Sequence, residues 1–207
     1  QSQIILLKTI LKINHMKNVL LIGGAGYVGT VITSHFLKQG YKVTVLDNFV
    51  YDNQFSVIPY VGDPNYKIVY GDMGDSKVLD SVSKDITDVI ILSGLVGDPI
   101  TKKYPKESEA INEVAVKNCM DYFNGRGIGK LVFISTCSNY GLIKDNELAD
   151  ENFELSPLSL YAKAKVANEE YLMRKKGAVD YTGVVLRFAT AFGLSPRMRF
   201  DLSISEF

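Results

Sequence analysis

Tyr161 and Lys165 form a pair whose residue types and spacing could support proton transfer. They lie four positions apart in the segment YAKAK, within a predicted helix, so their side chains share one face. An ammonium group beside a phenol favours the phenolate and lowers the phenol pKa from about 10. Such a pair can act as a general base near neutral pH. Because pairs with this spacing are common by chance, a solvated helix face is the alternative interpretation.

A run of hydroxyl groups follows one of the predicted buried strands. The segment from 135 to 141 reads STCSNYG and includes Thr136 and Ser138. Parallel sheets bind ligands at the carboxyl ends of their strands. The sequence therefore predicts that these hydroxyls lie at a binding edge of the sheet.

A glycine-rich loop, GGAGYVG, joins a predicted strand directly to a predicted helix. Gly23 permits a tight turn, Gly26 allows the backbone to approach a pyrophosphate, and Gly29 allows close packing of helix and strand. The helix N-terminus then faces the negative charge of the pyrophosphate. A tight turn that binds no ligand is the alternative interpretation.

Asp47 ends the second predicted strand, 18 residues after Gly29. A carboxylate at this position accepts hydrogen bonds from the ribose hydroxyls of a dinucleotide. It also repels a 2′-phosphate, so the sequence favours NAD over NADP. A surface aspartate at a strand end is the alternative.

Short apolar runs alternate with helical patterns along the chain. Strands are predicted over 19–22, 42–46, 67–69, 89–92, 130–135 and 182–186. Helices are predicted over 27–39, 78–82, 107–123 and 161–176, and a long loop over 48–66. Continuous apolar strands that alternate with helices predict an α/β fold, a Rossmann-type doubly wound parallel sheet covered on both faces.

The composition excludes several classes of protein. The chain of 207 residues carries 23 basic and 23 acidic side chains, so its formal net charge of zero argues against a nucleic-acid partner. Its apolar runs are too short to span a membrane. Cys119 and Cys137 are the two cysteines, and no Cys/His cluster predicts a metal site. Both are predicted to be buried thiols in a reducing compartment.

The chain divides into three predicted segments. Residues 1–15 are expected to be an N-terminal extension, with a short amphipathic docking segment as the alternative. Residues 16–192 form the predicted dinucleotide-binding domain, which also carries the catalytic residues. Residues 193–207 are expected to begin a smaller C-terminal substrate domain that is largely absent from this chain.

Taken in order, these motifs resemble the extended short-chain dehydrogenase/reductase family. The resemblance runs from about residue 18 to residue 201 and rests on GGAGYVG, Asp47, Gly71-Asp72, STCSNYG, YAKAK and LRFATAFG. The tail from 186 to 201 is similar to the NAD-dependent nucleotide-sugar epimerase/dehydratase branch. The resemblance implies NAD as cofactor, a nucleotide-linked sugar as substrate and hydride transfer from C4 of the sugar.

The resemblance also implies roles for individual residues. The expected catalytic residues are Thr136, Tyr161 and Lys165. The residues expected to bind the cofactor are Gly23, Gly26, Tyr27, Val28, Gly29, Asp47, Asn48, Asp72, Met73, Leu92, Ser93, Gly94, Tyr161 and Lys165. The residues expected to bind the substrate are Thr136, Ser138, Asn112, Thr190 and Arg197. A structural role for Asn112, and a solvated turn for Arg197 and Arg199, are the alternatives.

One departure from the family pattern bears on the reaction. The 4,6-dehydratases of this family place an Asp-Glu pair directly after the catalytic threonine, where this chain has Cys137 and Ser138. The expected function is therefore an NAD-dependent nucleotide-sugar epimerase. A 4-dehydrogenase or reductase is the first alternative, a 4,6-dehydratase ranks below it, and a catalytically inactive dinucleotide-binding regulatory protein is the alternative from another class.

The resemblance also implies how and where the protein would act. It predicts a cytoplasmic homodimer that serves polysaccharide biosynthesis and pairs through a four-helix bundle. The helices expected to form that bundle span 107–123 and 161–175. The apolar residues Val114, Cys119, Met120 and Phe123 would line either this interface or the core of the domain.

Overall fold

The strands form a single parallel sheet in the part of the chain that the computed structural model describes, residues 16–96, 98–144 and 146–200. Its order is β3-β2-β1-β4-β5-β6. The strands are β1 (Asn18–Ile22), β2 (Lys42–Asp47), β3 (Tyr66–Tyr70), β4 (Asp88–Ile91), β5 (Lys130–Thr136) and β6 (Thr182–Phe188). This is the strand order of a doubly wound dinucleotide-binding fold, so the predicted fold class is confirmed.

Side chains of β1 alternate between two apolar cores because successive residues of a strand point to opposite faces. Val19 and Leu21 pack on one face, where side chains of the first helix cover them. Leu20 and Ile22 pack on the other face, in the larger core. Burial on both faces explains why the strands read as continuous apolar runs.

Helices and helical turns connect the strands. They are α1 (Tyr27–Lys38), a 3₁₀ turn (Gln54–Tyr60), α2 (Ser76–Ser81), α3 (Asp98–Lys103), α4 (Pro105–Glu109), a π-helical turn (Ala110–Val114), α5 (Ala115–Tyr122), a second 3₁₀ turn (Cys137–Tyr140) and α6 (Leu160–Arg174). The sequence did not predict α3, since its six residues are too few to show a helical period. The helix predicted over 107–123 forms, but a π-helical turn interrupts it.

The long predicted loop over 48–66 contains the first 3₁₀ turn and packs against α1. The Tyr60 hydroxyl donates a hydrogen bond of 2.7 Å to the Thr30 carbonyl oxygen and is buried. This segment therefore forms part of the α1 side of the domain.

Most of the apolar stripe on the interrupted helix belongs to the core. Cys119, Met120 and Phe123 are buried there, whereas Val114 is 49% exposed. Of the two interpretations of the stripe, the structure supports the core for these three residues. The predicted extension over 1–15 and the last residues, 201–207, lie outside the described residues.

Candidate active site

A cavity of about 900 Å³ lies along the carboxyl ends of the strands. Its volume is typical of a site for a small molecule or cofactor. The sequence-predicted residues that line it are Gly23, Gly26, Tyr27, Val28, Gly29, Asp47, Asn48, Leu92, Ser93, Gly94, Thr136, Ser138, Tyr161, Lys165, Thr190 and Arg197. The glycine loop and the proposed catalytic residues thus share one cavity, although they lie far apart in the sequence.

The glycine loop has the backbone geometry that its sequence predicts. Gly23 has a φ of +79°, and a Cβ there would lie 2.7 Å from the Ser93 backbone. A Cβ on Gly29 would lie 2.6 Å from the Gly24 backbone, so α1 packs too closely for a side chain. At Gly26 an added Cβ would meet only the Gly23 carbonyl oxygen, at 3.3 Å, which leaves the loop surface accessible.

The N-terminus of α1 is suited to an anion. Its N-cap residue is Gly26, and no side chain caps the helix there. The first turn of α1 also contains no acidic residue. Because the first N–H groups of a helix lack intrahelical partners, they can donate hydrogen bonds to a phosphate.

Asp47 links the end of β2 to the glycine loop. Its Oδ2 accepts a hydrogen bond of 2.9 Å from the Ala25 amide, and its Oδ1 accepts one of 2.9 Å from the Phe49 amide. Burial raises the pKa of Asp47, and these hydrogen bonds together with the Arg197 charge oppose that rise. Each carboxylate oxygen retains a second lone pair, so the group can still accept hydrogen bonds from ribose hydroxyls.

Two residues that the sequence analysis missed hold the same loop from the other side. Asn53 Nδ2 and Ser56 Oγ both donate to the Ala25 carbonyl oxygen, at 2.7 and 2.8 Å, and both residues are buried. The only sequence signal for them was the unusual length of the loop that contains them. Neither residue type predicts such a contact without the fold.

Thr136 lies at the end of β5 and caps the 3₁₀ turn that follows. Its Oγ1 accepts a hydrogen bond of 3.2 Å from the Ser138 amide and donates one of 3.2 Å to Ser138 Oγ. Cys137, between them, is exposed, so its predicted burial is wrong. The reason is that Cys137 begins the turn after β5 and so lies outside the strand. Cys119 is buried, as predicted.

Tyr161 and Lys165 share one face of α6, as their spacing predicts. Lys165 Nζ lies 5.7 Å from the centre of the Tyr161 ring. The ammonium donates a hydrogen bond of 2.8 Å to the Ile134 carbonyl oxygen on β5. This contact holds the lysine beneath the cavity, and the residue is only 4% exposed.

The pKa values of this pair differ from the expectation based on sequence. Burial raises the pKa of Tyr161 to about 12, and the nearby Arg199 charge opposes that rise. Burial also lowers the pKa of Lys165 to about 8, against the opposing effect of Glu169. In the chain by itself, the pKa of Tyr161 therefore lies above its ordinary value, opposite to the lowering expected from the neighbouring ammonium. Desolvation disfavours the charged form of both groups. The role of Tyr161 as the base stays a prediction.

Replacing Lys165 by methionine should change how stability depends on pH. Between pH 8 and about 10.5 the unfolded chain binds more protons at Lys165 than the folded protein, so the free energy of unfolding of the wild type rises with pH. Below pH 8 the wild type carries the full penalty for burying the ammonium, about 3 kcal/mol, which the variant lacks.

Chemical denaturation of both proteins at pH 7 and pH 10 measures this effect. The stability of the variant relative to the wild type should decrease as the pH rises. Loss of the hydrogen bond to Ile134 also destabilises the variant, so the test is how the difference between the two proteins changes with pH. A difference between the two proteins that is constant with pH would contradict the prediction.

Three of the residues predicted from the resemblance do not line the cavity. Met73 is buried in the core, and Asp72 is exposed, where its Oδ1 accepts a hydrogen bond of 2.7 Å from the Gly74 amide. Asn112 is buried and bonds to both the amide and the carbonyl oxygen of Leu95, at 2.7 and 3.0 Å. These contacts support the structural role that was the alternative for Asn112.

The segment after β6 packs against the N-terminus of α1. The Tyr27 hydroxyl donates a hydrogen bond of 2.6 Å to the Gly193 carbonyl oxygen, and Ser195 Oγ donates one of 2.8 Å to the Tyr27 carbonyl oxygen. Arg197 then lies 5.3 Å from the centre of the Tyr51 ring, within electrostatic reach of Asp47. Arg197 is thus at the Asp47 end of the cavity, and its contact with a substrate diphosphate stays a prediction.

Two features are absent from the described residues, 16–96, 98–144 and 146–200. No group of three or more His, Cys, Asp and Glu side chains within these ranges could hold a metal ion. No helix within them is long and apolar enough to cross a bilayer.

Comparison with known proteins identifies relatives across most of the chain. It is 29% identical over 179 residues to a UDP-glucose 4-epimerase of Corynebacterium glutamicum, a match that covers 86% of this chain and 48% of that protein. It is 27% identical over 190 residues to a UDP-glucose 4-epimerase of Lacticaseibacillus casei, covering 91% of this chain and 54% of that protein. The chain thus spans about half the length of these relatives.

Solved structures show the same likeness. The UDP-glucose 4-epimerase of Thermus thermophilus, in complex with NAD, superposes with a TM-score of 0.72 at 26% identity, over 82% of this chain and 54% of that one. The UDP-N-acetylglucosamine 4-epimerase of Methanobrevibacter ruminantium gives a TM-score of 0.70 at 28% identity, over 83% and 54%. Residues 19–205 match the model of the NAD dependent epimerase/dehydratase family. The chain therefore belongs to the NAD dependent epimerase/dehydratase family, as its motifs predicted.

Proposed function

We propose that the full-length protein is an NAD-dependent epimerase of nucleotide-linked sugars, with UDP-sugars as the first substrates to test. The observation that carries this proposal is the shared cavity. It joins a glycine loop built for a pyrophosphate to Thr136, Tyr161 and Lys165. The names of the relatives, which are UDP-glucose 4-epimerases, support the substrate class.

The described residues fit NAD. The uncapped N-terminus of α1 would take the pyrophosphate, and Asp47 would accept hydrogen bonds from the adenosine ribose. Lys165 would hold the nicotinamide ribose at the opposite end of the cavity. When bound, oxidised NAD supplies the hydride acceptor and a positive charge.

Within this proposal, Tyr161 takes the proton from the C4 hydroxyl of the sugar as the C4–H bond breaks. Thr136 donates a hydrogen bond to the same oxygen and fixes its position. Because burial raises the pKa of Tyr161 to about 12, the residues of the chain alone keep it a phenol at neutral pH. We therefore expect proton removal to require the loaded cofactor site.

The alternatives use the same cavity. A 4-dehydrogenase or reductase would use the same three residues and release the keto sugar. A 4,6-dehydratase needs an acid and a base beside Thr136. Among the described residues that line the cavity, however, Asp47 is the only carboxylate, and it lies on β2. The surroundings of Thr136 thus favour an epimerase over a dehydratase.

The test uses full-length protein purified without added nucleotide. Mass spectrometry of the small molecules released on denaturation should detect NAD or NADH. Incubation with UDP-glucose, UDP-arabinose or UDP-N-acetylglucosamine should give the C4 epimer, which NMR can identify. A keto sugar formed with stoichiometric NADH would favour the dehydrogenase, and bound NAD without conversion of any of these sugars would favour the regulatory protein. Release of NADP would contradict the role of Asp47.

Replacing Asp47 by asparagine should reduce the preference for NAD over NADP. The variant loses the charge that repels a 2′-phosphate and weakens the charge-assisted hydrogen bonds to the ribose. We expect the ratio of the Kd for NADP to the Kd for NAD to fall by roughly 10- to 100-fold. Calorimetric titration of both dinucleotides measures the ratio, which a general loss of stability does not change.

Asp63→Asn is the matched control, since Asp63 lies outside the cavity, is exposed and, like Asp47, accepts a hydrogen bond from the amide two residues on. Its ratio of dissociation constants should equal that of the wild type. An unchanged ratio in the Asp47 variant would exclude this carboxylate as the specificity determinant.

We further propose that the protein is a cytoplasmic homodimer that acts in polysaccharide biosynthesis. Helices α5 and α6 pack side by side, and the Tyr171 hydroxyl on α6 donates a hydrogen bond of 2.5 Å to Asp121 on α5. Val114 is exposed on the same helical segment and supports a partner surface there. Light scattering of the full-length protein should give the mass of a dimer, and Val114→Lys should shift it towards the monomer.

A further inference from the structure

An ion pair of a buried carboxylate and a partly buried guanidinium lies outside the lining of the cavity and takes no direct part in the proposed reaction. Glu169 on α6 is 4% exposed, and Arg187 on β6 pairs with it. Arg187 Nη2 and Nε donate to Glu169 Oε2 at 2.7 and 3.0 Å, and Nε also approaches Oε1 at 3.2 Å. This fork-like contact is specific to a guanidinium and a carboxylate.

The same pair is bonded to the turn that follows Thr136. Asn139 Nδ2 donates to Glu169 Oε1 at 2.7 Å and to Ser135 Oγ at 3.0 Å. Arg187 Nη1 donates to the Tyr140 hydroxyl at 3.1 Å. The turn over Cys137–Tyr140 is therefore anchored to the ion pair through two of its side chains.

Glu169 also lies one helical turn after Lys165 on the same face of α6. Lys165 bonds to Ile134 on β5, and Glu169 bonds to Asn139 just beyond the end of that strand. The end of β5 is thus attached to α6 at two successive turns of the helix. Thr136 reaches the cavity from the end of β5, and Tyr161 reaches it from α6. The distance between these two side chains therefore depends on this attachment.

We infer that Glu169 and Arg187 are positioning residues, which hold the Cys137–Tyr140 turn so that Thr136 keeps its place in the cavity that it shares with Tyr161. This inference rests on the proposed function for its effect on catalysis. A buried ion pair is weak evidence for a stabilising role, because an apolar pair of similar volume is often at least as stable. Replacing both residues by an apolar pair therefore tests the positioning role separately from any effect on stability.

The experiment compares the wild type with Glu169→Leu/Arg187→Met in the full-length protein. The apolar pair should keep a similar melting temperature at pH 10, where the neighbouring Lys165, which Glu169 also faces, is neutral and neither substituted position leaves an unpaired charge. The turn, however, loses its acceptor for Asn139 and its donor for Tyr140. Cys137 lies in this turn and is exposed, whereas Cys119 is buried and serves as an internal reference.

Four quantities are measured on each protein. Two report on the turn: the rate at which iodoacetamide alkylates Cys137, and amide exchange of the peptide over 135–141. The other two are kcat at saturating NAD and UDP-sugar, and the Kd for NAD. We expect faster exchange in the turn, an altered Cys137 alkylation rate and a kcat lower by roughly 10- to 100-fold, with the Kd for NAD unchanged.

Asp80→Leu/Arg126→Met provides the matched control. This pair is also an arginine and a carboxylate, at 3.4 Å, and it joins α2 to the segment after α5, outside the lining of the cavity. Its removal should leave the exchange of the turn and kcat unchanged. Unaltered exchange and alkylation in the Glu169/Arg187 variant would overturn the inference, and so would a wild-type kcat alongside a loosened turn.

The two proposals fail in different ways. If the wild type converts no nucleotide sugar, the proposed function is wrong, while the alkylation and exchange rates still decide whether the pair holds the turn. A single variant, Glu169→Gln, adds a second check. It keeps the shape of the side chain but removes its charge, and amide exchange over 135–141 should again be faster than in the wild type. Unchanged exchange would contradict a role of the charge in holding the turn.

Discussion

Replacing Tyr161 by phenylalanine should lower kcat by roughly 10²- to 10⁴-fold, the range typical of losing a positioned acid or base. The substitution removes one oxygen atom and leaves the ring, which lies 5.7 Å from Lys165 Nζ, in place. Because the glycine loop and Asp47 are unchanged, the Kd for NAD should stay within about tenfold of the wild-type value. Steady-state kinetics with a UDP-sugar and titration with NAD measure the two effects separately.

Tyr70→Phe is the matched control for this experiment. Tyr70 is 74% exposed at the end of β3 and lies outside the lining of the cavity. Its variant should keep the wild-type kcat. A Tyr161 variant with kcat near that of the wild type would exclude the phenol as the base.

Replacing Gly23 by alanine should both destabilise the domain and impair the binding of NAD. Gly23 has a φ of +79°, where a non-glycine residue costs about 1–2 kcal/mol. Its new methyl group would also lie 2.7 Å from the Ser93 backbone at the end of β4, so the loop or the strand must move. We expect a total loss of roughly 2–5 kcal/mol of unfolding free energy and at least tenfold weaker binding of NAD.

Gly40→Ala separates the two causes. Gly40 has a φ of +78°, and a Cβ there would meet nothing within 4 Å. Both substitutions therefore carry the cost of a side chain at positive φ, whereas only the one at Gly23 also brings a methyl group against Ser93. Urea denaturation should show a larger loss for the Gly23 variant, and titration should show weaker NAD binding for that variant alone. Equal losses in the two variants would mean that the close approach to Ser93 is unimportant.

The fold could be predicted from the sequence because each strand carries its own signal. The run at 19–22 is apolar throughout, and the structure places it in β1 with both faces covered. The same reasoning holds for the glycine loop, where strand, turn and helix are neighbours in the chain. Local patterns are informative when the residues that interact are also close in sequence.

The supports of the site could not be predicted in this way. Glu169 and Arg187 look like solvated charges in their own segments, and their contact depends on where β6 lies in the sheet. Asn53 and Ser56 reach Ala25 across a separation of 28 and 31 residues. A residue type reveals such a role only after the fold has brought its partner within hydrogen-bond distance.

The pKa of Tyr161 differs from the expectation for a different reason. The sequence gives the spacing of the tyrosine and the lysine, but it does not give the depth at which they lie. Burial changes both pKa values in the direction that disfavours charge, and depth is set by the packing of α6 on β5. An inference about proton transfer from spacing alone therefore omits the largest contribution.

The hydrogen bonds at Ala25 have a consequence for the thermodynamics of binding. The Ala25 amide donates a hydrogen bond to Asp47, and the Ala25 carbonyl oxygen accepts hydrogen bonds from Asn53 and Ser56. Side chains of the same domain therefore fix the loop backbone on both sides of this residue. The loss of conformational entropy in this loop therefore occurs during folding, and a dinucleotide meets a surface that is already ordered. Association should then be limited by diffusion and desolvation and should need no rearrangement of the loop.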